Sequence, residues 1–234
     1  MRVFVLSYIM IFMPEKVSIY IDGGNFYHLV LKKLGVLEVD FDFDSFAIFL
    51  ANKREISKMG KRFYVGTVRE KMGNSYSKEA MSRQNKLFSF LISSKWEIKT
   101  SKLRERREKL VIDDRVQNYE KIKRCGITEI IFDRQREKGI DVKLVTDLII
   151  GAMDNKYDTA IVVSSDTDLV PAIDSVRRRL HKKVEYVGFS IPDPKNPENN
   201  TTPILSMIPR TDLQRTLIES DLRPFIKTPP PKLL

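Results

Sequence analysis

The stretch Ile161-Val162-Val163-Ser164-Ser165-Asp166-Thr167-Asp168-Leu169-Val170-Pro171-Ala172-Ile173 decides the fold. Ala160 to Ser164 is a short run of apolar, small and β-branched residues, the pattern of a strand buried on both faces. Helical spacing resumes from Thr167, so Asp166 and Asp168 fall at the carboxyl end of a central strand. In open α/β sheets this edge binds ligands, because loops and helix N-termini line it. Two carboxylates there suit a divalent cation.

The same arrangement occurs earlier, in Val17-Ser18-Ile19-Tyr20-Ile21-Asp22-Gly23-Gly24-Asn25. An apolar run ends in an aspartate, and two glycines then allow a tight turn into a helix. Asp22 and Asp166 are therefore expected at one edge of one parallel sheet. The Ile21-Asp22-Gly23-Gly24-Asn25 start resembles the NYN domain of the PIN-like nuclease superfamily, its LabA-like group in particular. So do the segment with Lys138-Gly139-Ile140-Asp141 and Asp147-Leu148, and Ser164 to Asp168. The resemblance runs from about Lys16 to Phe189. Two positions depart from the family pattern: Ser165 stands where glycine is usual, and Leu169 where phenylalanine is common.

Strands alternating with helices along the chain predict a three-layer α/β/α domain with a central, mostly parallel sheet of about five strands. Phe26 to Leu34 reads as a helix stopped by Gly35. Phe43 to Ile56 reads as a second helix, capped by Asp44 or Ser45. Strands are expected at Lys61 to Val68, Lys95 to Thr100, Asp158 to Ser164 and Val184 to Phe189, and helices at Ser77 to Ser93 and Ile140 to Met153. Trp96 reads as core or sheet packing rather than a base-stacking platform. The domain is expected over 16–190, preceded by an apolar extension over 1–15. After it come a Pro/Asn-rich loop, a helix at Thr211 to Ile218 and a frayed tail, together 191–234. Met1 to Met13 is shorter than the ~20 residues that span a bilayer. It reads as a non-native extension with Met13 the true start, and no stable membrane insertion is expected.

The 234 residues carry 41 Lys and Arg against 31 Asp and Glu, a formal charge of +10, which suits a polyanionic partner. The single cysteine, Cys125, rules out an internal disulfide and fits a reducing cytoplasm. Positive charge concentrates in 101–124, with nine basic residues against five acidic. This insertion is expected to form a hairpin or short helix pair. Arg104, Arg106, Arg107 and Lys109 make it the candidate clamp for an RNA backbone. A salt-bridged surface excursion or a homodimer contact is the competing use.

The resemblance implies a magnesium- or manganese-dependent ribonuclease. Hard cations prefer oxygen donors, and crowded aspartates repel one another until a cation binds. Asp22 and Asp166 are the first expected ligands, with Asp168 beside them or serving the helix N-terminus that follows. Asp141 and Asp147 compete for the third place. Six residues along a helix is about 9 Å and about 240° of rotation, so the two do not share a face. Position at the helix start favours Asp141, and family spacing to Asp166 favours Asp147. Asn25, Ser164, Ser165 and Thr167 are expected to touch substrate, Asn25 serving equally as a helix cap. Asp154 and Asp158 read as turn residues, and neither His28 nor His181 reads as a general base. A binding module that has lost turnover is the first alternative. A haloacid-dehalogenase-type phosphatase needs an acidic residue two positions after its nucleophile, where Asp22 is followed by Gly23-Gly24.

Overall fold

Six strands form one sheet in the order β3-β2-β1-β6-β7-β8. They are β1 (Lys16–Asp22), β2 (Glu55–Thr67), β3 (Glu97–Lys102), β6 (Thr159–Val163), β7 (Lys183–Ser190) and β8 (Leu213–Ile218). Every neighbouring pair runs parallel. β4 (Arg104–Val111) and β5 (Glu129–Arg136) form a separate antiparallel hairpin. The structure is a computed structural model that describes residues 14–68, 75–102, 104–136 and 139–227, without the side chains of 102, 104, 105, 135 and 136. Met1 to Met13, Lys138 and the tail over 228–234 lie outside the described residues.

Strand alternation divides the core into two layers. On one face Val17, Ile19 and Ile21 of β1 meet Phe63, Ile161, Val163, Val187 and Phe189. Helices α1 (Gly23–Phe26), α2 (Phe43–Ala51) and α3 (Ser75–Ser93) cover this face through Phe26, Phe46, Leu50, Leu87 and Leu91. On the other face Tyr20, Tyr64, Ala160, Val162, Val184 and Tyr186 meet α5 (Ile140–Met153) and α6 (Val170–Arg178). Trp96 is buried in the first layer, as its core assignment predicts. The result is the three-layer α/β/α architecture. Among the described residues no helix is long and apolar enough to cross a membrane.

The chain leaves β1 toward β2 and β3 on one side, and β6, β7 and β8 lie on the other. The order therefore reverses between β1 and β6, which opens a crevice at their carboxyl ends. Gly23 fits the close approach needed there: a Cβ would come within 2.6 Å of the Phe63 ring and 3.0 Å of the Tyr64 carbonyl. Gly35 ends the helical region in the left-handed conformation, at φ 68°.

Several expectations are corrected. Thr211 to Ile218 is not a helix: Leu213–Ile218 is the sixth strand, with Asp212 accepting the Val184 N–H at 2.8 Å where β8 begins. The cap of α2 is Asp42, one residue outside the expected helix. Its carboxylate accepts the N–H groups of Asp44 at 3.2 Å and Ser45 at 3.1 Å. That helix ends at Ala51, and β2 begins already at Glu55, with a register irregularity between Val17 and Ile19 of its partner strand. The basic arm is a hairpin that continues past residue 124, through α4 (Tyr119–Arg124), to a return strand ending at Arg136.

Pairing with β7 overrides helix propensity in β8 through a buried ion cluster. The carboxylate of Glu185 on β7, almost wholly buried, accepts from Arg54 at 2.8 Å and pairs with Arg215 on β8. Both arginines also donate to the Leu50 carbonyl at the end of α2. Removing the acid leaves two cations with only carbonyls to satisfy them, and breaking such a buried pair is strongly destabilising. Glu185→Ala should cost roughly 3 kcal/mol in urea unfolding. A loss below about 1 kcal/mol would show that water already satisfies the arginines.

Candidate active site at the carboxyl edge of the sheet

Register brings the two strand ends level. Ile21 pairs with Val163, so Asp22 and Ser164 are the next residues out on adjacent strands. The Ser164 hydroxyl lies 3.2 Å from Asp22 Oδ2, and the Asp166 N–H donates to the same hydroxyl at 3.2 Å. A second link joins the loops: the Ser165 N–H donates to Asn25 Oδ1 at 2.9 Å. Asp22 is itself a cap, its Oδ1 accepting the Asn25 N–H at 3.0 Å. Asp166 does the same for the turn Thr167–Leu169, accepting the Asp168 N–H at 2.9 Å. Asn25 thus lies beside Asp22 as expected, but the cap is the aspartate. Thr167 and Asp168 are exposed, and Leu169 fills a buried place under α6. The Ser165 hydroxyl is shielded from solvent and has no hydrogen-bond partner among the described residues.

Asp141 enters from above the other face. Gly139, at φ 83°, turns the chain into α5, and Asp141 lies in its first turn. Partial burial, followed by the charges of Asp166 and Asp168, holds the Asp141 carboxyl above the ordinary carboxylate range. The Asp141 carboxyl is therefore within electrostatic reach of Asp166 and Asp168.

Asp147 has different company. Its Oδ2 accepts from the Tyr64 hydroxyl at 2.9 Å and lies 3.5 Å from Arg62 and 3.8 Å from Lys99. Tyr64 pairs in register with Asp22, so this network adjoins the site on the same face of the sheet. Burial and the Asp147 charge keep the Tyr64 hydroxyl protonated far above its usual range. Sequence reasoning missed Tyr64, Arg62 and Lys99. Their signal is cross-strand register, which no single segment displays.

Of the arm residues, Arg106, Arg107 and Lys109 are exposed on β4. Arg107 lies 3.3 Å from Asp133 and Lys109 pairs with Glu129, both across the hairpin. Arg104 begins β4, its side chain outside the description.

The donors at the edge are hard carboxylate oxygens, the chemistry magnesium and manganese prefer. Among the described residues no three acidic, histidine or cysteine side chains converge as a ready cage. The donor set fits a cation held by one or two carboxylates that keeps several waters, as magnesium does.

A family model described as the NYN domain matches residues 16–205, from the first residue of β1 to the loop before β8. The chain belongs to the NYN family. NYN domains are part of the PIN-like nuclease superfamily, act generally on nucleic acid and generally use divalent metal ions. A solved structure of a protein of unknown function from Vibrio parahaemolyticus is similar in fold. It is 17% identical, with a TM-score of 0.50, over 89% of this chain and 96% of that one. No curated protein matches the chain.

The raised Asp141 carboxyl gives the NYN site a pH signature. A carboxyl with a raised folded-state pKa favours the protonated folded form. It contributes stability below the ordinary carboxylate pKa that is lost as pH rises through the raised value. Asp166→Asn should lower the Asp141 midpoint in a carboxyl-carbon NMR titration. An unchanged midpoint would leave burial and the Asp168 charge as the causes.

Proposed function

We propose that this NYN protein is a magnesium- or manganese-dependent ribonuclease of the LabA-like group, acting in the cytoplasm. The observation that carries the proposal is the Ser164 hydroxyl, which ties Asp22 to the Asp166 loop at the switch point of a parallel sheet. Asp22 and Asp166 are the residues assigned to hold the cation, with Asp168 and Asp141 beside them. Asp141 is preferred over Asp147 because its negative neighbours are uncompensated, whereas Asp147 already meets Arg62 and Lys99. When bound, the cation supplies charge to a scissile phosphate and acidity to an attacking water.

The protein's own groups do the rest. The cap bonds fix the Asp22 and Asp166 carboxylates before substrate arrives, which reduces reorganisation during the reaction. Asn25, Ser165 and Thr167 border the crevice and are assigned to the RNA backbone. The functional unit is read as 16–190 with the hairpin as its insertion.

A binding module without turnover is the second reading. It is favoured by the same cap bonds, which occupy an oxygen of both Asp22 and Asp166, and by the absence of three converging donors among the described residues.

The two readings separate on Asp166→Asn, which keeps side-chain size and removes the charge. For a ribonuclease, purified protein should cleave RNA with magnesium or manganese and stop with EDTA. Asp166→Asn should then lose at least about 100-fold in rate, as expected when catalytic electrostatics fail, while RNA binding persists. Millimolar metal should raise the wild-type melting temperature, since an ion that binds only the folded state stabilises it by mass action. Equal cleavage by the two forms would mark a contaminant, and no cleavage by either would leave the binding module.

A further inference from the structure

The hairpin β4–β5 has two chemically different faces. Register places Arg104 opposite Arg136, Arg106 opposite Arg134, Glu108 opposite Phe132 and Leu110 opposite Ile130. Directly opposite residues share a face of a two-stranded ribbon, so these positions form one face. The other carries Arg107 opposite Asp133, Lys109 opposite Ile131 and Val111 opposite Glu129. There each described cation finds an acid across the ribbon: Arg107 reaches Asp133, and Lys109 reaches Glu129. The first face sets the described side chains of Arg106 and Arg134 against each other, an arrangement that is repulsive by itself. Its single acid, Glu108, lies 3.7 Å from Arg134. Beyond the arginines come exposed apolar side chains, Phe132, Leu110 and Ile130.

A two-stranded hairpin is marginal in water without a partner. Here nearly every described residue of both strands is exposed, and the main contacts are between the strands themselves. The occupant of the arginine face must bring negative charge. The same face of a second copy would set arginine against arginine, which charge opposes. A duplex would use the cations but not an exposed ring, whereas a single strand offers phosphates to arginine and unstacked bases to Phe132. The arm leaves the sheet from β3 at its carboxyl edge, and its arginine end returns there five residues before Asp141.

The geometry points to the Arg106/Arg134/Phe132 face of the hairpin as a docking surface for single-stranded RNA, with the Arg107/Lys109 face not engaged. This rests on the RNA reading above and narrows it, dividing a basic segment into a binding face and a self-neutralised one.

The test is fluorescence anisotropy with a labelled 12-nucleotide single-stranded RNA in EDTA, over a series of salt concentrations. R106Q/R134Q should reduce the slope of log affinity against log salt by about 1.4, at ~0.7 per lost phosphate contact. R107Q/K109Q removes the same charge and should leave the slope near wild type. R106K/R134K, which keeps the charge, should also keep the slope, and F132A should weaken binding roughly 5- to 100-fold without changing it. Equal slope changes in the two glutamine variants would overturn the proposal in favour of net charge alone. Duplex RNA bound as tightly as the single strand, or a dimer lost in F132A by sedimentation, would also overturn it. Wild-type protein that binds no RNA at low salt would overturn the RNA reading itself. Wild-type binding with R106Q/R134Q unaffected would overturn only the assignment of this face.

Discussion

The Ser164 hydroxyl is the contact on which the site depends. It accepts from the Asp166 N–H and lies within hydrogen-bond distance of Asp22, joining the ends of two adjacent strands through one atom. It is placed by register alone, since Ile21 and Val163 are the last paired residues of β1 and β6. Because a one-residue slip would turn Asp22 to the opposite face, the buried alternation of β1 and β6 fixes the site as firmly as it fixes the core. Aspartates brought together repel one another. Here part of that cost is offset locally, because Asp22 and Asp166 each accept a backbone N–H from the turn that follows.

This explains which parts of the fold were legible in the sequence. Strands β1 and β6 are short runs buried on both faces, β1 ending in Asp22 and β6 leading within three residues to Asp166 at a turn, so both the sheet and its acidic edge follow from local pattern. Strand β8 was not legible. Leu213 to Ile218 has no dominant period, and its state is set by the Asp212 and Arg215 contacts with β7, which are long-range. The return strand β5 was legible only in part, Gly126 to Phe132 reading as a short strand or a loop, since an exposed ribbon lacks the buried alternation that marks a strand.

The site shows the same division. Asp22 and Asp166 could be located because one ends β1 and the other follows β6 by three residues, with Asp168 in the turn after it. The contest between Asp141 and Asp147 could not be resolved, because it turns on residues of other strands. Tyr64, Arg62 and Lys99 lie on β2 and β3, and only the parallel register places them around Asp147. Their effect is to give Asp147 a hydrogen-bond donor and two cations. Asp141, nearly two turns earlier on the same helix, faces other carboxylates.

An acidic edge that receives a polyanion also has a long-range electrostatic problem. Charges are screened over about 8 Å at physiological ionic strength, so a net +10 spread over the whole surface cannot offset carboxylates gathered at one place. Compensation has to come from cations near the edge. Arg62 and Lys99 are near but committed to Asp147 and Glu97. Chain connectivity brings the base of the hairpin to this edge. The hairpin leaves from the carboxyl end of β3 and re-enters just before α5, so its arginine end is returned to the same edge as Asp141, while its apolar residues extend away. Eight-residue strands reach about 26 Å, several screening lengths. The order of residues along the arm therefore matters: with the arginines at the tip and the apolar residues at the base, the same composition would carry the cations several screening lengths away from the edge.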